Sequence, residues 1–233
     1  MIGDVQRKMV EEKEVVFRGV RKLSLIKLVR ELYNVRRQLR EDREALKRLD
    51  PSFEKAYQFL FHAGYRSLRF YRHAHAFYNA GFKFFAYLIY HLNRVIYSID
   101  IHPACEIEAG VVIDHGTGIV IGSTARVGRG TIIYHGVTLG TRYIVNGKRH
   151  PTVGRNIVLG AGAKILGPIT VGDFAKIGAN SVVLEDVPAN STVIGIPGRV
   201  VKKDEKDESG IHGSFSNDVD NDFVYSEYSK CSD

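Results

Sequence analysis

Aliphatic residues recur every six positions over most of the second half of this chain. They fall at Ile101, Ile107 and Ile113, then at Ile121, Val127, Ile133 and Leu139. A third series runs through Val153, Leu159, Ile165, Val171, Ile177 and Val183. Glycine directly follows seven of them, from Gly122 to Gly178. Four residues after most sits a small or β-branched residue: Cys105, Thr117, Ala125, Thr131, Ala163, Ala175 or Ser181. A period of six suits neither an amphipathic helix, which repeats at about 3.6, nor a strand, which alternates at about 2. It is the period of a parallel β-helix, a solenoid in which three hexads make one triangular coil. Side chains fill so narrow an interior, so a ligand has to bind outside it, between subunits or under loops.

The rhythm breaks twice. Eight residues separate Ile113 from Ile121, an excess of two around His115-Gly116-Thr117-Gly118. Fourteen separate Leu139 from Val153, an excess of eight that projects residues 141–150 as a loop. Insertions in a solenoid are extruded from the coil, often on its binding face. Chemistry is therefore expected where the pattern fails.

The first hundred residues read differently. Leu25, Leu28, Val29, Leu32, Val35 and Leu39 recur at helical spacing among Arg, Lys and Glu. Asp50 reads as the N-cap of a new helix with Pro51 at its first position. Helical patterning resumes from Phe53 to Ile96, with a division expected near Gly64 or at Asn79-Ala80-Gly81. After Val187-Pro188 the hexads fade, and residues 202–233 hold nine acidic against four basic residues. The expected class is α+β: an α-helical N-terminal domain over 1–98, then a left-handed parallel β-helix of hexapeptide repeats over 99–201 with the extruded loop 141–150, then an acidic disordered tail over 202–233.

Composition excludes several classes. Two cysteines, Cys105 and Cys231, cannot make a disulfide framework, and Cys105 falls on an inward position suited to a packed thiol. The apolar stretch Phe82 to Ile96 is broken by Lys83, His91, Asn93 and Arg94, short of the roughly 20 residues a membrane span needs. The first residues are charged, unlike a signal peptide. A cytoplasmic protein, without a membrane or nucleic-acid partner, is the expectation; the +7 net charge sits largely on the helical region.

Polar residues at the irregular points are Asp100, Asp114, His115, Lys148, Arg149 and His150. Asp100 and His115 are fifteen residues apart, slightly less than one coil, which brings them near one corner on successive rungs. A histidine beside a carboxylate gains a fixed tautomer and a stabilised imidazolium, as a general base requires. Such pairs also serve structure alone. His135 occupies the equivalent place one coil later. Two stacked histidines invite a metal, although a catalytic zinc site takes three protein ligands; none is expected. His62, His73, His75 and His91 read as surface or helix-packing residues, and His102 as a cap on the first coil.

Asp100-Ile101-His102-Pro103, the Asp114-His115-Gly116-Thr117-Gly118 turn, Gly136-Val137-Thr138-Leu139-Gly140, Lys148-Arg149-His150-Pro151, Leu159-Gly160-Ala161-Gly162-Ala163 and the run from Ile177 to Leu184 resemble, in order and spacing, the serine O-acetyltransferases. The resemblance covers about Asp50 to Val201. It implies transfer of acetyl from acetyl-CoA to the hydroxyl of L-serine, giving O-acetylserine for cysteine synthesis. By the same resemblance His115 is the catalytic base and Asp100 its partner, Asp50, Asp114, Arg149 and His150 bind serine, and Ala161 and Ala179 line the coenzyme groove. It further implies a homotrimer, or a hexamer built of two trimers. Members that dock into O-acetylserine sulfhydrylase end in isoleucine, whereas this chain ends Cys231-Ser232-Asp233, so that complex is not expected. A related transferase acting on a sugar or another hydroxyl, and a non-catalytic scaffold, remain as alternatives.

Overall fold

The computed structural model describes residues 2–50 and 55–203, with side chains over 24–50, 55 and 57–202. The acidic stretch beyond Lys203 and the expected helix start at Pro51 lie outside the described residues.

One long helix, α1 (Ile2–Leu49), opens the chain. Asp50 follows its last residue and donates its N–H to Leu46 O at 2.9 Å. A 3-10 turn (Ala56–Leu60) leads into α2 (Ala63–Asn79) and α3 (Lys83–Tyr97). The division falls at Asn79-Ala80-Gly81, the second of the two expected places. Gly64 lies within the first turn of α2, where an added Cβ would sit 2.0 Å from Ile113 O. That glycine marks a close approach of helix to solenoid, not a break.

From Asp100 the chain winds into a parallel solenoid with three faces. The first stacks Asp100–Ile101, Val120–Ile121, Thr138–Gly140, Lys164–Leu166 and Val182–Val183. The second stacks Glu106–Ile107, Arg126–Val127, Thr152–Val153 and Thr170–Val171. The third stacks Val112–Asp114, Ile132–Tyr134, Val158–Leu159, Lys176–Ile177 and Ser191–Ile194, and the antiparallel strand Arg199–Lys203 closes its edge.

Register explains the six-residue period. Ile101 pairs with Ile121, Ile121 with Leu139, Leu139 with Ile165 and Ile165 with Val183, so one inward column runs down the first face. Equivalent columns fill the other two, and every aliphatic residue of the rhythm is buried. Each contributes about 1.5–3 kcal/mol through removal from water. Cys105, Ala125, Thr131, Ala163, Ala175 and Ser181 fill the corners as expected. Thr117 does not: the two-residue excess turns it outward, and Ile119 takes the inward place.

The first coil has no rung before it, and α2 supplies the missing partners. Tyr71 Oη donates to Cys105 O at 2.8 Å and accepts the Ile107 N–H at 3.1 Å. Arg72 donates to the carbonyls of Ile107 and Glu108 and forms a buried pair with Asp42 of α1, at 3.0 and 3.1 Å. Asp42 in turn accepts the Gly110 N–H at 2.8 Å. These bonds satisfy an edge that would otherwise present bare backbone groups. They also fix α1 and α2 against the coil that carries Asp114. No helix among the described residues is long and apolar enough to cross a membrane.

Candidate active site

Two corners of the prism depart from regular geometry. The first lies between the third and first faces, where the two-residue excess occurs. His115 sits there in the left-handed region, at φ 57, and Gly116 follows at φ 51. A Cβ on Gly116 would fall 2.5 Å from Ile99 Cδ1, so the turn closes tightly over the interior. The turn is held by Gly116 N–H to Asp114 O (2.7 Å) and Gly118 N–H to Ser98 O (2.8 Å). Its effect is to push His115 outward, with 78% of its side chain exposed and Nε2 3.7 Å from Asp114 Oδ1.

Below His115 the same corner position repeats on each coil. His135 follows, its ring 6.4 Å from that of His115 at 82°. Ala161 comes next, since Gly162 N–H reaches His135 O at 2.8 Å, and then Ala179, since Asn180 N–H reaches Ala161 O at 2.8 Å. His115, His135, Ala161 and Ala179 thus form one column, small at its far end and basic at its near end. The residues expected to line the coenzyme groove and the residue expected to act as base share one edge of the prism.

On the helical side of that edge stand Asp50 and His62. One ligand atom each from Asp50, His62 and Asp114 lie within 4.8 Å of one another. By distance this trio could hold a metal ion. Its donor chemistry does not fit one: His62 Nδ1 accepts the Tyr65 N–H at 3.1 Å, capping α2, so the ring proton of the neutral imidazole is on Nε2. A metal-ligating histidine does the reverse, giving its second N–H to an acceptor and its bare nitrogen to the ion. From sequence His62 reads as a surface or helix-packing residue. Its only signal was its place just before a helical run, where Ser, Thr, Asp or Asn are the usual caps.

The second irregular corner lies between the first and second faces, where the loop returns. Residues 141–148 are exposed, and the chain re-enters at Arg149-His150. Thr124 gathers that return. Its Oγ1 accepts the N–H groups of Arg149 and His150, both at 3.1 Å, and its carbonyl accepts Lys148 Nζ at 2.7 Å. The His150 ring lies in the space left by Gly122, where a Cβ would meet Nε2 at 2.0 Å. His150 is 7% exposed. Burial, then the cations Arg149 and Lys148, hold its pKa below the ordinary 6.5. Arg149 rests its guanidinium 3.4 Å from Ser123 Oγ.

Asp100 projects outward from the first face between these corners. Tyr90 Oη donates to its Oδ1 at 2.5 Å, and Arg94 Nη1 lies 3.7 Å from Oδ2. Burial and the hydrogen bond to Asp100 push the Tyr90 phenol up to about 12. The carboxylate that His115 faces within the protomer is therefore that of Asp114. Nothing in the sequence around Tyr90, ten residues upstream on a helix, announced it as a partner of Asp100. Cys105 is fully buried, and burial pushes its thiol up to about 12, so it offers no nucleophile.

Residues 150–185 match the bacterial transferase hexapeptide (six repeats) family. A serine acetyltransferase of Helicobacter pylori is 45% identical over 172 residues, covering 74% of this chain and 96% of that protein. The crystal structure of Neisseria gonorrhoeae serine acetyltransferase in complex with serine superposes with a TM-score of 0.69 at 38% identity, over 72% of this chain and 69% of that one. Serine acetyltransferase from Brucella abortus in complex with coenzyme A superposes at 0.73 and 38% identity, over 78% and 73%.

Proposed function

The chain belongs to the serine acetyltransferases, which carry acetyl from acetyl-CoA to the hydroxyl of L-serine, and on that premise we propose how its own residues do so. The observation that carries the assignment is the column on one edge of the prism. A base at its top, His115, stands over a strip of small residues along which the coenzyme arm can lie.

Serine's hydroxyl is a poor nucleophile until its proton is removed. His115 takes that proton as the oxygen attacks the thioester carbonyl carbon, and a tetrahedral oxyanion forms. The oxyanion collapses, the carbon–sulfur bond breaks, and the imidazolium returns its proton to the leaving thiolate. O-acetylserine and coenzyme A result. Asp114, 3.7 Å from His115 Nε2, steadies the imidazolium directly, and Asp100 on the adjoining first face adds negative charge beside it. Asp50 and Asp114 take the serine ammonium, and the Arg149 guanidinium takes its carboxylate, a planar fork matched to two oxygens. His150, packed beneath Gly122, adds a donor beside Arg149. Ala161 and Ala179 leave room for backbone contacts to coenzyme A.

The two corners stand at opposite edges of the first face. Packing about a threefold axis brings the Arg149 corner of one protomer to the His115 corner of the next, which completes a site for an amino acid with both charges matched. Exposed apolar side chains on α3, Phe84, Phe85, Leu88, Val95 and Ile96, support burial of this helix against another copy in the trimer. Leu25, Ile26, Val29 and Tyr33 on α1 offer a second surface for joining two trimers. A cytoplasmic location belongs to the same reading, since the buried Cys105 thiol requires no oxidising compartment.

The test is thiol release from acetyl-CoA with L-serine as acceptor, on wild type, His115→Ala and Asp100→Asn. Wild type is expected to turn over, and both variants to lose kcat. Release with a sugar but not with serine would remove the serine reading, and full activity in His115→Ala would remove the base. Sedimentation showing a stable monomer would remove the shared site.

A further inference from the structure

His62 is tied at both ring nitrogens to different parts of the molecule. Nδ1 accepts the Tyr65 N–H at 3.1 Å and so caps α2. Nε2 lies 3.8 Å from Asp50 Oδ2, with the Asp114 carboxylate in the same cluster. The side chain is only 15% exposed. Three charged or titratable groups face it: Asp50 from the end of α1, and Asp114 and His115 from the solenoid corner. Because the backbone donor occupies Nδ1, the neutral ring carries its proton on Nε2, the nitrogen 3.8 Å from Asp50 Oδ2.

We propose that His62 is the positioning residue of the subsite that takes the substrate's ammonium group, holding the Asp50 carboxylate in place through Nε2–H and making serine affinity depend on its own protonation. This rests on the serine reading above. At 3.8 Å the contact is longer than a hydrogen bond, and catalytic hydrogen bonds often tighten only when substrate binds. In the neutral state the N–H orients the Asp50 carboxylate toward the cluster it shares with Asp114, where the ammonium is to sit. A second proton has to enter at Nδ1, where the Tyr65 N–H already points. Protonation therefore breaks the cap and places a cation against the subsite where the ammonium must sit. Burial holds the His62 pKa below the ordinary 6.5, which keeps the ring neutral at physiological pH, although the neighbouring aspartates act in the opposite direction. The effect falls on KM for serine, whereas protonation of His115 falls on kcat.

Serine kinetics between about pH 5.5 and about pH 8.5, bracketing the histidine range, test this on wild type, His62→Asn and His62→Ala. Asparagine keeps a helix cap but cannot reach the carboxylates; alanine does neither. The expected result is a wild-type KM for serine that rises toward acid. In both variants KM at neutral pH is raised about tenfold, the scale of one hydrogen bond to a charged group, more than kcat is lowered, and its acid rise is flattened. Alanine alone should also lower the thermal midpoint. If asparagine restores the wild-type KM and pH profile, His62 is only a cap and the proposal falls. Nitrogen-15 NMR of the substrate-free protein gives a readout independent of turnover. An Nε2-protonated ring whose titration shifts in Asp50→Asn supports the proposal, and an Nδ1-protonated ring overturns it. If wild type fails to acetylate serine at all, the function falls while the NMR still judges the tautomer.

Discussion

The corner at His115 and the corner at His150 both interrupt the six-residue rhythm, yet they resolve the interruption in opposite ways. At His115 two extra residues are absorbed by the backbone, which turns through the left-handed region and leaves the imidazole 78% exposed. At His150 eight extra residues leave as a loop, and the return is bound tightly: Thr124 collects two N–H groups and a lysine, and the ring is buried under Gly122. On the proposed reading, the group that exchanges a proton with substrate is left accessible, and the group that orients substrate is held from several sides, because a freely rotating clamp would lose its gain in binding to side-chain entropy.

The largest effect should come from the exposed corner. His115→Ala is expected to lower kcat by about 10²–10⁴-fold, the usual share of a general base. Because alanine disfavours a positive φ, His115→Asn is the better-matched partner: asparagine tolerates that backbone, so it should lose the same activity with an unchanged unfolding curve. A matching loss of stability would mean the corner is structural and would dissolve the contrast.

Gly122→Ala attacks the buried corner. Its Cβ would overlap the His150 ring, so the ring must leave or the backbone must move, at about 1–3 kcal/mol as for other overpacked sites. The expected outcome is a lowered thermal midpoint together with a raised KM for serine. Ala161→Leu tests the column instead. It should raise KM for acetyl-CoA by about tenfold and leave KM for serine nearly unchanged; equal changes in both would place the coenzyme elsewhere.

The smallest effect concerns acid stability. Burial lowers the pKa of His62, His75, His102 and His150 below the ordinary 6.5. The unfolded chain then binds protons that the folded one refuses. Their contribution is fully present above pH 6.5 and is lost as pH falls from there toward the folded values. Urea unfolding midpoints should be flat above neutrality and decline below it. A midpoint that improves on acidification would contradict the buried, neutral state of these rings.

Much of this architecture was legible because it is local and repetitive. Each hexad names its own inward residue, and the stack requires only that successive coils agree, so the faces, the inward columns and both interruptions follow from spacing. The column His115, His135, Ala161, Ala179 was half visible: each residue stands two after an aliphatic, although only the pairing of coils makes them one edge. Contacts between distant segments were not legible. Gly64 read as a helix break, and its real constraint is the Ile113 carbonyl, forty-nine positions on in the numbering and 2.0 Å from where a Cβ would be. Asp100 and His115 are close enough in spacing to be paired, yet a helix brings Tyr90 and Arg94 to that carboxylate first.

By itself, then, the chain determined a helical region joined to a triangular solenoid, the two places where that solenoid fails, and the residue types that chemistry would use there. Period and composition suffice for this, because burial of one side chain per hexad is a local demand. Only the tertiary structure decided that α2 completes the open first coil through Tyr71 and Arg72, that His62 caps a helix while facing two aspartates, and that His115 and Arg149-His150, the proposed base and clamp, occupy opposite edges of one face. Those outcomes depend on which backbone groups lack partners and which elements arrive to supply them, and no pattern along a single segment records that.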